Sequence, residues 1–430
     1  MMKSFSEILA KIRHGEATVL TSQEVSELVE AGEEAKLGEV DVVTTATRAV
    51  MSGTYAILSF PVARPGAFLR ARRVWINGIA AQVGPCPNEN LGVLDLMVFG
   101  TAHSRDRRDY GGGHLFRDLV ERKPALVEVE TDVGRHIQVE VGLDEMPFAR
   151  LNGTRHAFKN YSAFVNPGEE PVSTIFHARP FEPCCRGATF SGCGQINPVK
   201  NDPLLETIGI GTRILMNDAK GFVTGTGTRS CAERPNLAGF ADMHSMKPEY
   251  LGGFVTSAGP ECICSWAVPI PVASETVLRE IARRDCEIAL PVVDVNTRQP
   301  LGCADYGQVW NGVDLEVEFD PGECRGCARC TVETACPMSA VHFDGKAAKI
   351  DEDRCFHCGL CVTVCPSGAF RCNLGSIRLQ TSEICSDAIP VLLRQSDRLR
   401  ALKLADALKN RILDGSFEMT MMVESINPHR

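Results

Sequence analysis

The chain lacks any long hydrophobic run. Its longest uncharged stretch, around Ala49 to Ala63, falls short of the roughly 18 apolar residues that a spanning helix needs, and Ser, Thr and Pro interrupt it. No membrane segment is expected. The opening residues, Met1-Met2-Lys3-Ser4-Phe5-Ser6-Glu7, do not have the basic-then-apolar layout of a secretory signal, so a cytoplasmic protein is expected. Basic charge is also in short supply. Lys and Arg number 45 against 54 Asp and Glu, and the net charge of −9 argues against a nucleic-acid partner. The nucleotide fingerprints are missing as well. Four glycine-rich loops occur, at Tyr110–His114, Ser191–Gly194, Gly209–Arg213 and Gly225–Arg229, and none fits G-x-G-x-x-G or the Walker A spacing.

Cysteine, by contrast, is abundant, with 19 residues. Eight fall in two runs: Cys324, Cys327, Cys330 and Cys336-Pro337, then Cys355, Cys358, Cys361 and Cys365-Pro366. Zinc ribbons and disulfides require only paired C-x-x-C elements, whereas two triplets each closed by Cys-Pro have iron–sulfur spacing. In two-cluster ferredoxins the remote fourth cysteine crosses to the other cluster. That rule assigns Cys324, Cys327, Cys330 and Cys365 to one [4Fe–4S] cluster and Cys355, Cys358, Cys361 and Cys336 to a second. The first run has five residues before its fourth cysteine where three are usual, which lengthens a loop without removing a ligand. The remaining thiols suit a reducing, anaerobic cytoplasm.

At 430 residues the chain has room for two to three domains. Capping-box spacing at Ser4/Glu7 and Thr21/Glu24 predicts helices over Phe5–Arg13 and Ser22–Ala31. Asp41–Thr45 reads as a buried strand that enters a small-residue turn over Arg48–Thr54. Asn77-Gly78 between Val74–Ile76 and Ile79–Ala81 predicts a type I′ hairpin. Leu126–Glu130 with His136–Val141, and Ile214–Met216 with Phe222-Val223, predict two further strand pairs. Leu315–Phe319 and Ser376–Gln380 flank the cysteine runs, and Ser396-Asp397 opens a helix that Gly415 closes. The expected fold class is α+β, a mixed α/β domain rich in glycine loops, combined with a bacterial-type ferredoxin module.

Candidate residues follow from chemistry. Cys193 lies between Gly192 and Gly194, where backbone amides could lower a thiol pKa. A small cysteine in a tight turn is the plain alternative. Cys184-Cys185 could hold persulfide sulfur or simply pack as two thiols, and Cys262, Cys264 and Cys231 could extend a metal site. His114, with Tyr110 and Gly112 in the triple-glycine loop, is the candidate general acid, since carbonyl reduction must protonate the departing oxygen. Arg213 and Arg229 end two glycine loops and could grip a carboxylate or sulfonate, or be surface arginines. His357 and Arg329 lie inside the cysteine runs and are expected to tune cluster potential.

Several longer stretches resemble the archaeal homocysteine-biosynthesis family. They are Val43–Thr47, Tyr110–His114 with Asp118–Val120, Lys159-Asn160-Tyr161, Asn197-Pro198 with Asn201–Pro203, and Thr207–Arg213. With Phe60-Pro61-Val62 and Trp75–Gly78, the chain is most similar to the branch called methanogenesis marker 16 metalloprotein. The resemblance implies an aldehyde-to-thiol conversion that consumes sulfide and two electrons. It implies as partners a small anionic aldehyde (sulfoacetaldehyde giving coenzyme M, or aspartate semialdehyde giving homocysteine), a sulfide source and an electron donor. It also implies Asn197 and the loop residues as substrate contacts; a homo-oligomer is compatible with the sequence. Tyr306-Gly307-Gln308 and Lys409–Phe417 match the two ends of the family's tail, which divides the chain into 1–319 plus 373–430 around an inserted 320–372. The sulfurtransferase relatives carry cysteine in the turn after the first strand and before the Asn-x-Tyr motif. Here those places read Met51-Ser52-Gly53 and Thr131-Asp132-Val133-Gly134. A non-enzymatic electron-transfer or sulfur-carrier subunit is the competing expectation.

Overall fold

The computed structural model describes residues 3–84, 90–379 and 388–426. A fourteen-stranded, mostly antiparallel sheet forms the larger layer. Near one end of it the strand Val42–Val50 pairs in parallel with Val19–Thr21 and antiparallel with Gly259–Pro271. Both long strands are buried along almost their whole length. Their near-continuous apolar and Thr/Ser character fits a sheet region covered on both faces. The helix Arg398–Leu413, capped by the Asp397 side chain, packs across both strands and buries Ala401, Leu404, Ala405, Leu408 and Ile412. The strand Thr54–Pro61 alternates buried and partly exposed positions, as expected where one face is less covered.

A second sheet of six strands is built around Ala188–Phe190, flanked by Ala163–Val165 and Ile389–Arg394. The two sheets join where Ile389–Arg394 ends. Gln395 N donates to Phe190 O at 2.9 Å, Val50 N to Gln395 O at 3.1 Å and Asp397 N to Arg48 O at 2.9 Å. This seam positions the candidate site.

The predicted helices form as Phe5–His14 and Ser22–Glu30, each with its capping box closed. Asn77 and Gly78 both have positive φ (48° and 76°) between Ala71–Ile76 and Ile79–Val83, as a type I′ turn requires. Two expectations are corrected. The first strand continues to Val50, so Arg48 lies inside the sheet and the turn is confined to Met51-Ser52-Gly53. The connection after Met216 is the two-residue turn Asn217-Asp218, with φ of 51° and 73°, because Asn and Asp tolerate the left-handed region.

Around the cysteine runs, Glu318–Phe319 pairs antiparallel with Phe370–Arg371, and Asp314 N donates to Asn373 O at 3.0 Å. The segment therefore enters and leaves through adjacent, hydrogen-bonded backbone. Inside it, Thr331–Ala335 and Leu360–Val364 are matching short helices, and Val341–Phe343 pairs with Ala348–Ile350. The next strand is the short Ser376–Ile377; Gln380, its predicted end, lies outside the described residues. Among the described residues no helix is long and apolar enough to cross a membrane.

Candidate active site

The turn Met51-Ser52-Gly53 is held from below by a chain of hydrogen bonds. Trp266 Nε1 donates to His156 Nδ1 at 2.8 Å, His156 Nε2 meets Thr54 Oγ1 at 2.8 Å, and Thr54 Oγ1 donates to Met51 O at 2.7 Å. Burial drives the His156 pKa down to about 3, so the ring is neutral and its Nε2 carries the proton that Thr54 accepts. Above the turn opens a cleft of about 710 Å³ whose lining includes Thr47, Ser52, Arg155, Asn160, Tyr161 and Asn197. Four of these six belong to the stretches that carry the family resemblance.

The opposite wall is equally fixed. Asn160, at φ 66°, accepts from Gly194 N at 3.1 Å and donates to Gly194 O at 3.2 Å, binding two loops face to face. Gly192 lines the cleft at φ 119°, and a Cβ there would lie 2.4 Å from the Tyr306 hydroxyl, so only glycine fits. Tyr306 in turn donates to Ser191 O at 2.7 Å and accepts from Tyr161 N at 3.1 Å. Gln395 closes the cleft and donates to Ile175 O at 2.8 Å.

Arg155 is the cation of the cleft. Its guanidinium stands 5.1 Å from the Phe158 ring, its buried Nε has no hydrogen-bond partner, and no carboxylate among the described residues lies within ion-pair reach. A guanidinium left in that condition is prepared for an anionic guest.

A second, apolar cavity of about 420 Å³ lies beneath, and Cys336, Cys355, Cys358 and Cys361 all face it. Burial pushes the Cys355 thiol up to about 12 and raises Cys358 and Cys361 further. Such thiols need bound metal to become thiolates. Backbone N–H groups already point at the sulfurs: Ala340 N to Cys336 at 3.4 Å and His357 N to Cys355 at 3.5 Å. Four thiols lining one apolar cavity, with N–H···S bonds to two of them, fit a multi-iron cluster that spaces its ligands apart. Cys324, Cys330 and Cys365 pack around Val332, Ala369 and Phe370, with Cys327 partly buried beside exposed Arg325, Ala328 and Arg329.

The two cavities are linked through packing and backbone. Val50 lines the cleft and packs against the hydrophobic cluster that includes Phe356 and Cys358, while Arg394 N donates to Cys358 O at 2.9 Å next to Gln395.

The remaining predicted residues are placed differently. Cys193 has no exposure; its sulfur accepts from Thr47 Oγ1 at 3.6 Å and donates to Arg48 O at 3.8 Å, one layer beneath the cleft. Burial raises its pKa, contrary to the expected lowering. The loop amides that were to lower it are already engaged, Gly192 N by Ser396 Oγ at 2.8 Å and Gly194 N by Asn160. His114 accepts from Gly111 N at 3.2 Å and stacks on Tyr110, away from the cleft lining; burial lowers its pKa to about 4, so at neutral pH it lacks the imidazolium form that a general acid needs. Tyr110 donates to Asp118 Oδ2 at 2.7 Å, and Gly112 is needed because a Cβ would lie 2.1 Å from Phe99 O.

Arg213 stacks on Phe222 and donates to Glu418 O at 3.0 Å, and Arg229 is exposed; neither lines the cleft. Cys184 is exposed and free while Cys185 is disulfide-bonded, so the neighbours do not bond each other. Cys262 and Cys264 are buried, Cys231 is exposed, and among the described residues no three ligating side chains converge on a single ion. The expected extension of a metal site is therefore not formed. His357 is buried with Nδ1 3.4 Å from Asp397 Oδ1, and Arg329 is exposed. Sequence reasoning missed Arg155, Ser52 and Gln395. Only the position of Ser52 in the small-residue turn gave a local signal.

The profile described as homocysteine biosynthesis enzyme, sulfur-incorporation, matches residues 17–419. The chain belongs to that family. A protein of Methanothermobacter thermautotrophicus is 47% identical over 415 residues, 96% of this chain and 94% of that one. The L-aspartate semialdehyde sulfurtransferase of Methanocaldococcus jannaschii is 30% identical over 309 residues, 68% of this chain and 59% of that one. A component of an ion-translocating oxidoreductase complex from Methanosarcina acetivorans is 38% identical over 58 residues, 14% of this chain and 21% of that one. No solved structure matches. This member of the homocysteine-biosynthesis family is thus a mixed α/β iron–sulfur protein with a ferredoxin-like segment.

Proposed function

We propose that the chain inserts sulfur reductively into a small anionic aldehyde bound in the cleft, giving a thiol. The observation that carries this reading is Val50, which lines the cleft and packs against the hydrophobic cluster of Phe356 and Cys358, a cluster that Cys336 and Cys355 also pack against. Residues 320–372 are the inserted ferredoxin module of this reading, and its cysteines hold two [4Fe–4S] clusters that supply electrons singly when bound. Cys336, Cys355, Cys358 and Cys361 hold the cluster near the cleft, and Cys324, Cys327, Cys330 and Cys365 the one near the surface, where an outside donor can reach it.

The reaction balances as aldehyde, hydrogen sulfide, two electrons and two protons giving thiol and water. Arg155 holds the anionic end of the substrate. Ser52, Asn160, Tyr161 and Asn197 surround the carbonyl, and Val50, Phe158 and Phe176 keep water out. Among the described residues no Asp or Glu lines the cleft, so an ammonium group would find no countercharge from them there. That favours sulfoacetaldehyde over aspartate semialdehyde, the substrate in the name of the sulfurtransferase relative.

The test is to reconstitute the protein anaerobically, supply sulfide, a low-potential reductant and each aldehyde, and assay thiol. Thiol from sulfoacetaldehyde is the expected result. Clusters that cycle with no thiol from any aldehyde would replace this reading with that of an electron-transfer subunit.

A further inference from the structure

The proposed reaction needs a proton donor for the departing oxygen, and His114 is neutral and away from the cleft lining. A carboxyl group is placed to serve. Glu261 lies on the strand Gly259–Pro271 and is 5% exposed. Along that strand Cys262 and Cys264 enter the main core, so the alternation sends Glu261 and Ile263 to the opposite side. Ile263 belongs there to the hydrophobic cluster that includes Phe356 and Cys358. Glu261 therefore shares the sheet face that adjoins the cluster cysteines. Its strand neighbour across the pair is Phe254.

Deeply buried glutamates are ordinarily ion-paired. Among the described residues no Lys, Arg or His pairs with Glu261, and its Oε2 has no hydrogen-bond partner. What stands beside it is Ser52: Ile263 pairs with Val50 and Met51 N donates to Cys262 O at 2.7 Å, so the antiparallel register carried one residue further sets Ser52 opposite Glu261, and Ser52 also lines the cleft. Burial raises the carboxyl pKa, which favours the protonated form.

We infer that Glu261 supplies a proton, through the Ser52 hydroxyl, to the oxygen that leaves the substrate carbon. The inference rests on the sulfur-insertion reading above. Sulfide adds to the aldehyde carbon, forming a C–S bond and a hydroxyl on the same carbon. The C–O bond then breaks as Ser52 passes its proton to the hydroxyl and is itself reprotonated by Glu261. Water departs, and the S–H proton returns through Ser52 to Glu261 as the C=S bond forms, so the carboxyl ends as it began. Two electrons and two protons reduce the C=S group to the thiol. Ser52 is the residue that touches the reacting oxygen, and Glu261 acts through it.

With wild-type turnover in hand, Glu261→Gln should lower kcat by roughly 100-fold and leave the KM for the aldehyde within about twofold. Glu261→Asp should recover part of the loss. Ser52→Ala should cost a similar factor, and the double variant little more, because the two residues work in series. Infrared difference spectra of resting protein provide a readout that needs no turnover. The carbonyl stretch of a protonated carboxylic acid should vanish in Glu261→Gln and shift in Ser52→Ala. A Glu261→Gln protein that keeps kcat within threefold, or spectra without a Glu261 acid band, would overturn the inference. Wild-type protein that makes no thiol would instead defeat the sulfur-insertion reading, and the infrared band would still decide whether Ser52 is coupled to a neutral Glu261.

Discussion

Arg48 and Asp397 form an ion pair in which neither side chain has any exposure to solvent. Arg48 also lies 4.8 Å over the Phe356 ring, and Asp397 faces His357, so the pair ties the first long strand and the last helix to the cysteine-bearing loop. Removing one partner leaves the other charge buried alone. Arg48→Met and Asp397→Asn should each cost about 3–5 kcal/mol of stability, and the Arg48→Met/Asp397→Asn double variant less than their sum. Anaerobic denaturant titrations measure this; additive losses would contradict it.

Arg155→Gln should raise KM for an anionic aldehyde by about 10–100-fold, the worth of one charge-assisted contact of about 1.5–3 kcal/mol. An uncharged aldehyde of similar size should be indifferent to the change. Equal losses for both would assign Arg155 a structural role through its Phe158 contact.

Each cluster should be removable separately. On the two-cluster reading proposed above, with one cysteine of each run crossing to the other cluster, Cys336→Ser and Cys365→Ser should each lose about half of the bound iron. Thiol formation should vanish with Cys336→Ser, whose residue lines the buried cavity beside Cys355 and Cys358. With Cys365→Ser, a small chemical reductant should still drive turnover. Iron analysis and electron paramagnetic resonance check both.

Cys193→Ala should keep thiol formation and lose about 1 kcal/mol of stability, because its enclosed sulfur contributes packing. Abolished activity in a folded Cys193→Ala protein would return the thiol to the chemistry.

Three buried histidines set a pH dependence. Burial lowers His156 to about 3 and His114 and His177 to about 4, from an ordinary 6.5. Below 6.5 the unfolded chain takes up protons that the folded protein refuses, so stability falls as pH falls, down to the folded values. Each histidine adds a slope of up to about 1.4 kcal/mol per pH unit. Denaturation midpoints between pH 7.5 and 5 test the trend, and His156→Gln should flatten it.

Much of this architecture was legible because its signals are local. Capping boxes at Ser4 and Thr21, the Asn77-Gly78 turn and the two cysteine runs each fix structure within a few residues. The stretches bearing Thr47, Asn160, Tyr161 and Asn197 also converge on the cleft. The chemistry was harder to read, because protonation and access depend on what folds on top. Gly192 and Gly194 looked able to activate Cys193, yet Ser396 and Asn160, distant in sequence, consume their amides. Arg155 is one of two arginines in its strand, and only the unpartnered state of its Nε in three dimensions singles it out.

The backbone pairing of Glu318–Phe319 with Phe370–Arg371 has a kinetic consequence. A redox unit leashed at both ends cannot diffuse away between the first and second electron. Its effective concentration at the cleft is set by geometry, at or above the millimolar range typical of short tethers. An intermediate reduced by one electron would therefore wait only for the surface cluster to be refilled. Turnover should saturate at donor concentrations far below those that separate delivery of every electron to the cleft by a diffusing carrier would require.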